Sequence, residues 1–276
     1  MKRRITTGAL YAVALAISLF FVYPFYWMIV SSFRTQAENL SSPLQLWPEQ
    51  PSLVAYRALQ TLGGLPLMHY VVNSIAMTLA ASALAVVATT LGTYALWRKP
   101  NLPLFGLLRN GFLLTVMYPA MLLVIPLYVV MYRLGMLGSH VGIVLVLSLL
   151  PIAFFMLNEF LKSLPRELVE AAMIDGAGEL QILAKVIVPV ALPIVVTVAL
   201  IAFLLIWKQW FPVLVISTSP STYTLPVALL SLNGEYGVNF EATMALATIT
   251  TLPIAILFAA TQRRVSGGLT AGAVKG

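Results

Sequence analysis

The side chains whose types and spacing could do work concentrate in one stretch, residues 162–185. It begins Lys162-Ser163-Leu164-Pro165-Arg166-Glu167-Leu168-Val169-Glu170-Ala171-Ala172-Met173-Ile174-Asp175-Gly176-Ala177-Gly178. Pro165 suits the first position of a helix, and Glu167 suits its first turn, where a carboxylate meets the positive end of the helix dipole. Gly176 and Gly178 supply a stop, because glycine accepts the left-handed backbone of a helix end. The spacing predicts a short helix of about three turns at 3.6 residues per turn. Val169, Ala172, Met173 and Gly176 fall on one face at three- and four-residue intervals. Ala171 and Ala172 leave the backbone approachable, and Glu167, Glu170 and Asp175 frame the surface. Such a face suits a helix laid into a groove of another protein. A helix folded beneath its own bundle is the competing reading.

Other chemistry is excluded by what the chain lacks. It has no Cys, so a disulfide framework, a thiolate zinc site and a cysteine nucleophile are out. Its two His, His69 and His140, cannot make a His-rich metal site, and the H-E-x-x-H of a zinc protease is absent. No metal ligands are expected. A phosphate-cradling loop needs G-x-x-x-x-G-K-[ST]. Gly267 and Gly272 have that separation, but Ala273 follows where Lys is required. A Ser–His dyad has only His69 and His140 to draw on, both between apolar runs. No catalytic residue is expected, and the chain is not expected to be an enzyme.

The elements that must position the 162–185 stretch are apolar. Of 276 residues, 60% are hydrophobic and 9% charged. A soluble domain carries about 25% charged residues, and a disordered chain is rich in charge and poor in apolar residues. Both classes are excluded. Helical crossing takes about 20 apolar residues. Six stretches meet or approach that length: 8–30, 73–97, 112–132, 141–158, 186–207 and 243–262, none holding Asp, Glu, Lys, Arg or His. They do not alternate polar and apolar as barrel strands do. The expectation is an all-α polytopic membrane protein with six transmembrane helices in lipid. The first stretch follows Lys2, Arg3 and Arg4 but exceeds a signal-peptide core, so it reads as a retained anchor.

The 16 basic residues against nine acidic ones give a net charge of +7. Their position between apolar runs speaks for membrane orientation and against nucleic acid as a partner. With the N-terminus inside, twelve basic residues fall in cytoplasmic segments and four (Arg34, Arg57, Arg133 and Lys208) in outer ones. Both termini are then cytoplasmic. The second span carries Ala81, Ala85, Ala88, Gly92 and Ala95, small residues that let helices approach closely in lipid. Pro119, Pro126 and Pro253 lie within spans, where they either line a solute path or merely bend the helix. Asn73, Tyr118, Asn158 and Thr248 are candidates for the pathway, or else interhelical hydrogen-bond partners. Two further segments are long. Residues 31–72, with four prolines, read as loop and short helix. Residues 217–241 contain Asn233-Gly234-Glu235-Tyr236-Gly237 and read as a connector or as a docking or gating loop.

Glu170-Ala171-Ala172, three residues, Gly176, nine residues and then Val186-Ile187-Val188-Pro189 resembles the EAA loop of bacterial ABC-importer permeases. Ala171 to Ala177 resembles the A-A-x-I-D-G-A form of carbohydrate permeases. Val124-Ile125-Pro126-Leu127-Tyr128 with Leu134-Gly135-Met136-Leu137, and Tyr223-Thr224-Leu225-Pro226-Val227, are similar to other segments of that group. Trp207-Lys208-Gln209-Trp210-Phe211-Pro212 departs from its W-N-x-F. The resemblance implies a type I ABC importer permease fold in the bacterial inner membrane, of the maltose-transporter-like kind. The domains are then an anchor and first outer loop (1–66), a permease core (67–262) with the coupling loop 162–185, and a cytoplasmic tail (263–276).

The implied partners are a second homologous permease, a dimer of cytoplasmic ABC ATPases that bind the ATP and Mg, and an extracytoplasmic sugar-binding protein. The implied ATPase-docking residues are Glu170, Ala171, Ala172, Met173, Asp175, Gly176 and Pro189. Leu269, Thr270, Ala271, Gly272 and Lys275 form a second ATPase contact, and Asn233 to Gly237 a contact for the binding protein. The implied function is import of a sugar or oligosaccharide. Import of another solute by the same machine, and ion-coupled secondary transport, are the alternatives. The spans hold no ionisable group of the kind that binds a coupling ion.

Overall fold

The computed structural model describes residues 2–101, 106, 107, 110, 111, 114, 120–235 and 239–273. They are almost entirely helical, and they divide into two compact units. One comprises the chain up to His69 together with Ala228–Ala259; the other comprises Tyr70–Val227 and the residues from Ala260 onward.

The first unit opens with α1 (Lys2–Ser32), whose apolar part is Leu10–Ser32. Two short helices follow, α2 (Gln36–Ser41) and α3 (Val54–Ala58). A minimal antiparallel hairpin pairs β1 (Thr61–Leu62) with β2 (Leu65–Pro66), Thr61 opposite Pro66 and Leu62 opposite Leu65. Gly63 and Gly64 form its turn with φ of 54° and 79°, the positive values that match a tight turn to strand twist. Residues 33–66 are therefore loop, short helix and hairpin, whereas 31–32 end α1 and 67–72 already belong to the long helix Leu67–Arg98. Arg34, counted among the basic residues of the outer segments, is buried and donates to the carbonyls of Ser42 and Gln45 at 3.1 and 2.7 Å.

The second unit is built on α4 (Leu67–Arg98). Around it lie α5 (Ala120–Arg133), α6 (His140–Leu147), α7 (Pro151–Lys162), α8 (Glu167–Ile174), α9 (Glu179–Ile182), a π-helical turn (Leu183–Ile187), α10 (Val188–Trp207) and α11 (Phe211–Ile216). Two further helices complete the described chain, α12 (Leu225–Glu235) and α13 (Phe240–Ala273). A core of the second unit joins Met77 and Ala81 of α4, Met131, Ile143, Val146, Leu147, Ala202, Ile206, Val213 and Ile216. A smaller one joins Ala153 and Leu157 of α7 to Val198 of α10.

The observed spans fit a multi-pass membrane protein but differ from the expected ones in four respects. Leu10–Ser32, Leu67–Arg98, Glu179–Trp207 and Phe240–Thr261 are each long and apolar enough to cross. The stretch 141–158 is not one helix: α6 and α7 meet at a 45° bend. Leu150 precedes Pro151 and takes a non-helical conformation (φ −123°, ψ 87°), because the proline ring crowds a helical predecessor. Of 112–132, Met121–Arg133 forms a shorter apolar helix, and residues 112, 113 and 115–119 lie outside the described set. The fifth helix begins at Glu179 rather than 186, through the π-helical turn. There Val188 donates to Leu183, five residues back, and Pro189 has no N–H for the carbonyl of Lys185, which is the type of place where a helix widens. The last helix continues past 262 to Ala273.

Side chains on α4 refine the small-residue stripe. Ala81 and Ala85 are buried, but Ala88 and Gly92 face outward. The buried seam continues through Thr89 and Thr93, and the Thr93 hydroxyl donates to the Thr89 carbonyl at 2.6 Å. A threonine can occupy an apolar seam when its hydroxyl bonds its own helix. Lys208 caps the C-terminal end of α10, where a cation complements the helix dipole, and Trp207 beside it is buried and stacked on Phe203 at 5.6 Å.

Between α5 and α6 the chain turns through Gly135 and Gly138, with φ of 66° and 69°. Gly138 donates to the Ile216 carbonyl at 2.8 Å, and an added Cβ would stand 2.2 Å from Thr218 Oγ1. Gly138→Ala thus combines a left-handed alanine with a clash, and about 2–3 kcal/mol of destabilisation is expected. Gly92→Ala meets nothing within 4 Å and replaces a mid-helix glycine, so it should be silent or stabilising. Thermal unfolding in detergent should show a clear drop for the first variant and none for the second.

Candidate functional site

The 162–185 loop is a helix held by an anchor. α7 ends at Lys162, and a turn through Pro165 leads to Arg166, which precedes α8. Helix α8 has eight residues, about two turns rather than three. Pro165 stands before the helix instead of at its first position, while Glu167 occupies the first turn as expected, together with Glu170. Asp175 caps the end and Gly176 takes φ 80°. Gly176 N–H donates to Met173 O and Ala177 N–H to Ala172 O, both at 3.0 Å, the paired bonds of a glycine-terminated helix. Gly178 is not part of that stop. It is extended (φ −76°, ψ 164°) and opens α9, with its N–H donating to Gln181 Oε1 at 3.2 Å.

The faces of α8 divide differently from the sequence expectation. Val169 is 1% exposed and joins Tyr94, Leu161, Ile182, Leu183 and Ile187 in a buried cluster, with Trp97, Leu164, Ala172 and Ala177 packed against it. Val169 and Ala172 thus face this chain's own core. The outward surface is Glu170, Ala171, Met173, Ile174, Asp175 and Gly176. Met173 is 52% and Ile174 87% exposed. One edge of the helix is folded under the bundle, and an apolar, acid-rimmed edge is exposed. A small open hollow lies beside it, lined by Trp97, Arg98, Arg166, Val169 and Glu170.

Glu179 is the residue that sequence reasoning missed. Its carboxylate accepts Arg98 Nη2 at 2.8 Å on one oxygen, and Arg98 Nε at 3.1 Å and Tyr94 Oη at 2.7 Å on the other. The arginine contact is a two-pronged fork, the strongest geometry for a carboxylate. Arg98 also reaches Met173 Sδ at 3.4 Å. One side chain therefore ties the start of α9 to the end of α4 and touches α8. A signal existed in the sequence: Glu179 is an acid closely following the Gly176–Gly178 break, and Tyr94 and Arg98 are four apart and share a helix face.

The remaining candidates are placed as follows. Asn73 is buried and donates to the carbonyls of Ser221 and Tyr223 at 2.9 and 3.1 Å, while its Oδ1 lies 3.2 Å from His140 Nε2. Asn158 donates to Glu159 at 3.3 Å, and Thr248 donates to the Met244 carbonyl of its own helix at 2.8 Å. Pro189 opens α10. Asn233, Gly234 and Glu235 belong to α12, so the segment read as a connector contains an eleven-residue helix, with Pro226 near its start. Leu269, Thr270, Ala271 and Gly272 continue α13. Tyr118, Tyr236, Gly237 and Lys275 lie outside the described residues.

A family model described as "Binding-protein-dependent transport system inner membrane component" matches residues 88–270, which include the anchor, α8 and α9. The chain belongs to this family. Among its curated relatives is the sulfoquinovosyl glycerol transport system permease protein SmoH of Agrobacterium fabrum, 34% identical over 92% of this chain and 89% of that protein. The diacetylchitobiose uptake system permease protein DasC of Streptomyces coelicolor is 33% identical over 96% of this chain and 95% of its own length. The fold matches that of a chain in the crystal structure of a bacterial ABC transporter involved in the import of the acidic polysaccharide alginate, with TM-score 0.80, 23% identity and coverage of 95% and 98%. The protein is thus a multi-pass ABC transporter permease of type I fold, a transport subunit and not an enzyme.

In this permease the anchor is a partly exposed ion pair, for which about 1 kcal/mol is the upper expectation. Glu179→Gln should raise hydrogen exchange of the 176–182 amides up to about fivefold and leave mid-α10 amides unchanged. The exchange Arg98→Glu with Glu179→Arg should restore part of the protection. Unchanged exchange in Glu179→Gln would remove the anchoring role.

Proposed function

We propose that this permease forms one of two transmembrane halves of a bacterial inner-membrane importer for a sugar or oligosaccharide. A second homologous permease supplies the other half. Two cytoplasmic ATPases bind ATP and Mg and supply the energy, and an extracytoplasmic sugar-binding protein delivers the solute. The carbohydrate reading is supported by the names of SmoH and DasC, both concerned with sugar derivatives.

The observation that carries the coupling role is α8 itself: a helix with one edge packed on its own core and the other offering Glu170, Ala171, Met173, Ile174 and Asp175 outward. A helix offered in this way fits a groove in a partner. In this proposal Glu170 is the charged contact to the ATPase. Ala171 and Gly176 allow close approach, and Met173 and Ile174 fill the groove. Ala172 acts from behind, as packing. The stretch 269–275 makes a second ATPase contact, and the residues around Asn233–Gly237 meet the binding protein. Both termini are cytoplasmic, as the distribution of basic residues suggests.

Two substitutions test this. Glu170→Lys inverts the charge of the contact. Gly176→Asp adds a side chain at a φ of 80° where nothing lies within 4 Å, so the loop accommodates the atoms at a modest backbone cost and the obstruction is felt by a partner. Both variants should insert normally, while solute-stimulated ATP hydrolysis and uptake fall at least tenfold. Ile174→Cys, in a chain without other cysteines, should crosslink to an ATPase subunit. Wild-type uptake in both variants, or uptake driven by an ion gradient without ATP, overturns the proposal.

A further inference from the structure

The turn after α2 is built inside out for a water-exposed loop. Residues 42–47 have no helix or strand, so their carbonyls have no regular partner. Yet four of the five carbonyls from 42 to 46 accept side-chain donors. Arg34 Nη1 reaches Ser42 O at 3.1 Å and Arg34 Nη2 reaches Gln45 O at 2.7 Å. Trp27 Nε1 reaches Pro43 O at 2.8 Å, and the Tyr26 hydroxyl donates to Leu46 O. A loop in water has no need of such donors, because solvent supplies them. Irregular backbone near hydrocarbon does need them.

The side chains are sorted the same way. The charge of Arg34 is turned inward, 1% exposed, with Glu38 3.7 Å from its Nε. Glu38 also receives the Glu49 N–H at 2.8 Å. Outward stand Leu44 at 81% and Trp47 at 66% exposure, flanked by Leu40 and Leu46. Polar groups inside and large apolar groups outside is the arrangement of a lipid-facing surface.

The depth of the turn follows from its donors. Tyr26 and Trp27 lie six and five residues before the end of α1 at Ser32, about 9 and 7.5 Å along the axis at 1.5 Å per residue. They are part of the apolar stretch Leu10–Ser32, at the level where tyrosine and tryptophan mark the membrane interface. Their hydrogen bonds hold Pro43 and Leu46 beside them. Phe21, Val22 and Phe25 of the same helix are likewise exposed apolar side chains.

We propose that residues 43–47 form a membrane-seated turn, with Leu44, Leu46 and Trp47 inserted at the boundary between lipid headgroups and acyl chains. Arg34 acts as its internal clasp, satisfying carbonyls that the bilayer cannot. The occupant of this surface is lipid, because the turn is bonded to the α1 surface at interfacial depth and extends that surface. The proposal depends on membrane insertion and not on the transported solute.

The test places an environment-sensitive fluorophore on Leu44→Cys or Trp47→Cys in the full-length chain, purified with its subunits into nanodiscs. The unsubstituted chain serves as background, Phe25→Cys as a lipid reference and Glu49→Cys as a water reference. Labels at 44 and 47 should emit to the blue of the label at 49. Spin-labelled lipid should quench them at least half as strongly as the label at 25, and iodide at least twofold less than the label at 49. Using two positions keeps the test intact if one variant fails to fold. Iodide quenching equal to that at 49 overturns the proposal. Protection from iodide without quenching by spin-labelled lipid also overturns it, because a protein would then cover the turn.

Discussion

Hydrocarbon offers no hydrogen bonds, so backbone that enters it must satisfy its own N–H and C=O groups. Nearly every local feature of this permease answers to that constraint. The long helices satisfy it by construction. Hydroxyls within them donate back to carbonyls of their own helices, as Thr248, Thr250 and Thr251 do in α13 at 2.7–2.8 Å. Where proline removes an N–H, the chain makes a specific adjustment. Before Pro151 it leaves the helix over Ser148–Leu150, and before Pro189 it widens into a π-helical turn. Where the chain has no helix at all, between α2 and α3, the side chains of α1 and Arg34 take over as donors.

The same accounting explains why α4 organises the second unit. Near its start, Asn73 donates to the carbonyls of Ser221 and Tyr223, and Ser74 Oγ accepts the Leu225 N–H at 2.7 Å. At its other end, Tyr94 and Arg98 hold Glu179. The two groups of contacts are 25 residues apart from Asn73 to Arg98, about 37 Å of helix. An uninterrupted helix of that length is stiff on the scale of side-chain contacts. A tilt of α4 therefore displaces the 221–225 segment and the α8–α9 loop together. This geometric link needs no continuous chain of side-chain contacts between the two ends.

What could be read in the sequence, and what could not, divides along the range of the forces involved. The membrane class follows from composition. The end of α8 follows from Gly176, because left-handed backbone is a local requirement that one residue type meets. The burial of Val169 was not legible. Val169, Ala172 and Met173 share a helical face by spacing, yet what lies opposite them is set by how other elements pack, through Tyr94, Leu161 and Ile187. Arg34 illustrates the same limit. Counted by its place in an outer segment it contributes to orientation; folded, it is a buried donor, because the carbonyls of Ser42 and Gln45 become available to it only after the chain has turned. The break at Pro151 was legible in principle, since the residue before a proline is biased away from helix, but an apolar run masks such a break when hydropathy alone is read.

The exposure of Ile174 beside the burial of Val169 has an energetic meaning. A free helix of eight residues is too short to be stable in water, because nucleation outweighs the few bonds gained. Helix α8 persists because Val169 and Ala172 are packed into a core and Glu179 fixes the chain that follows. Its outward side chains are thereby held in a helical array before any partner arrives. Association with a preformed element avoids the ordering cost that a flexible loop would incur. The same rigidity has a mechanical consequence. A force applied to Met173 or Ile174 cannot be absorbed by unfolding the loop while the buried edge stays packed, so it passes into α4, α7 and α10. In the coupling role proposed above, the exposed edge supplies the contact and the buried edge transmits it.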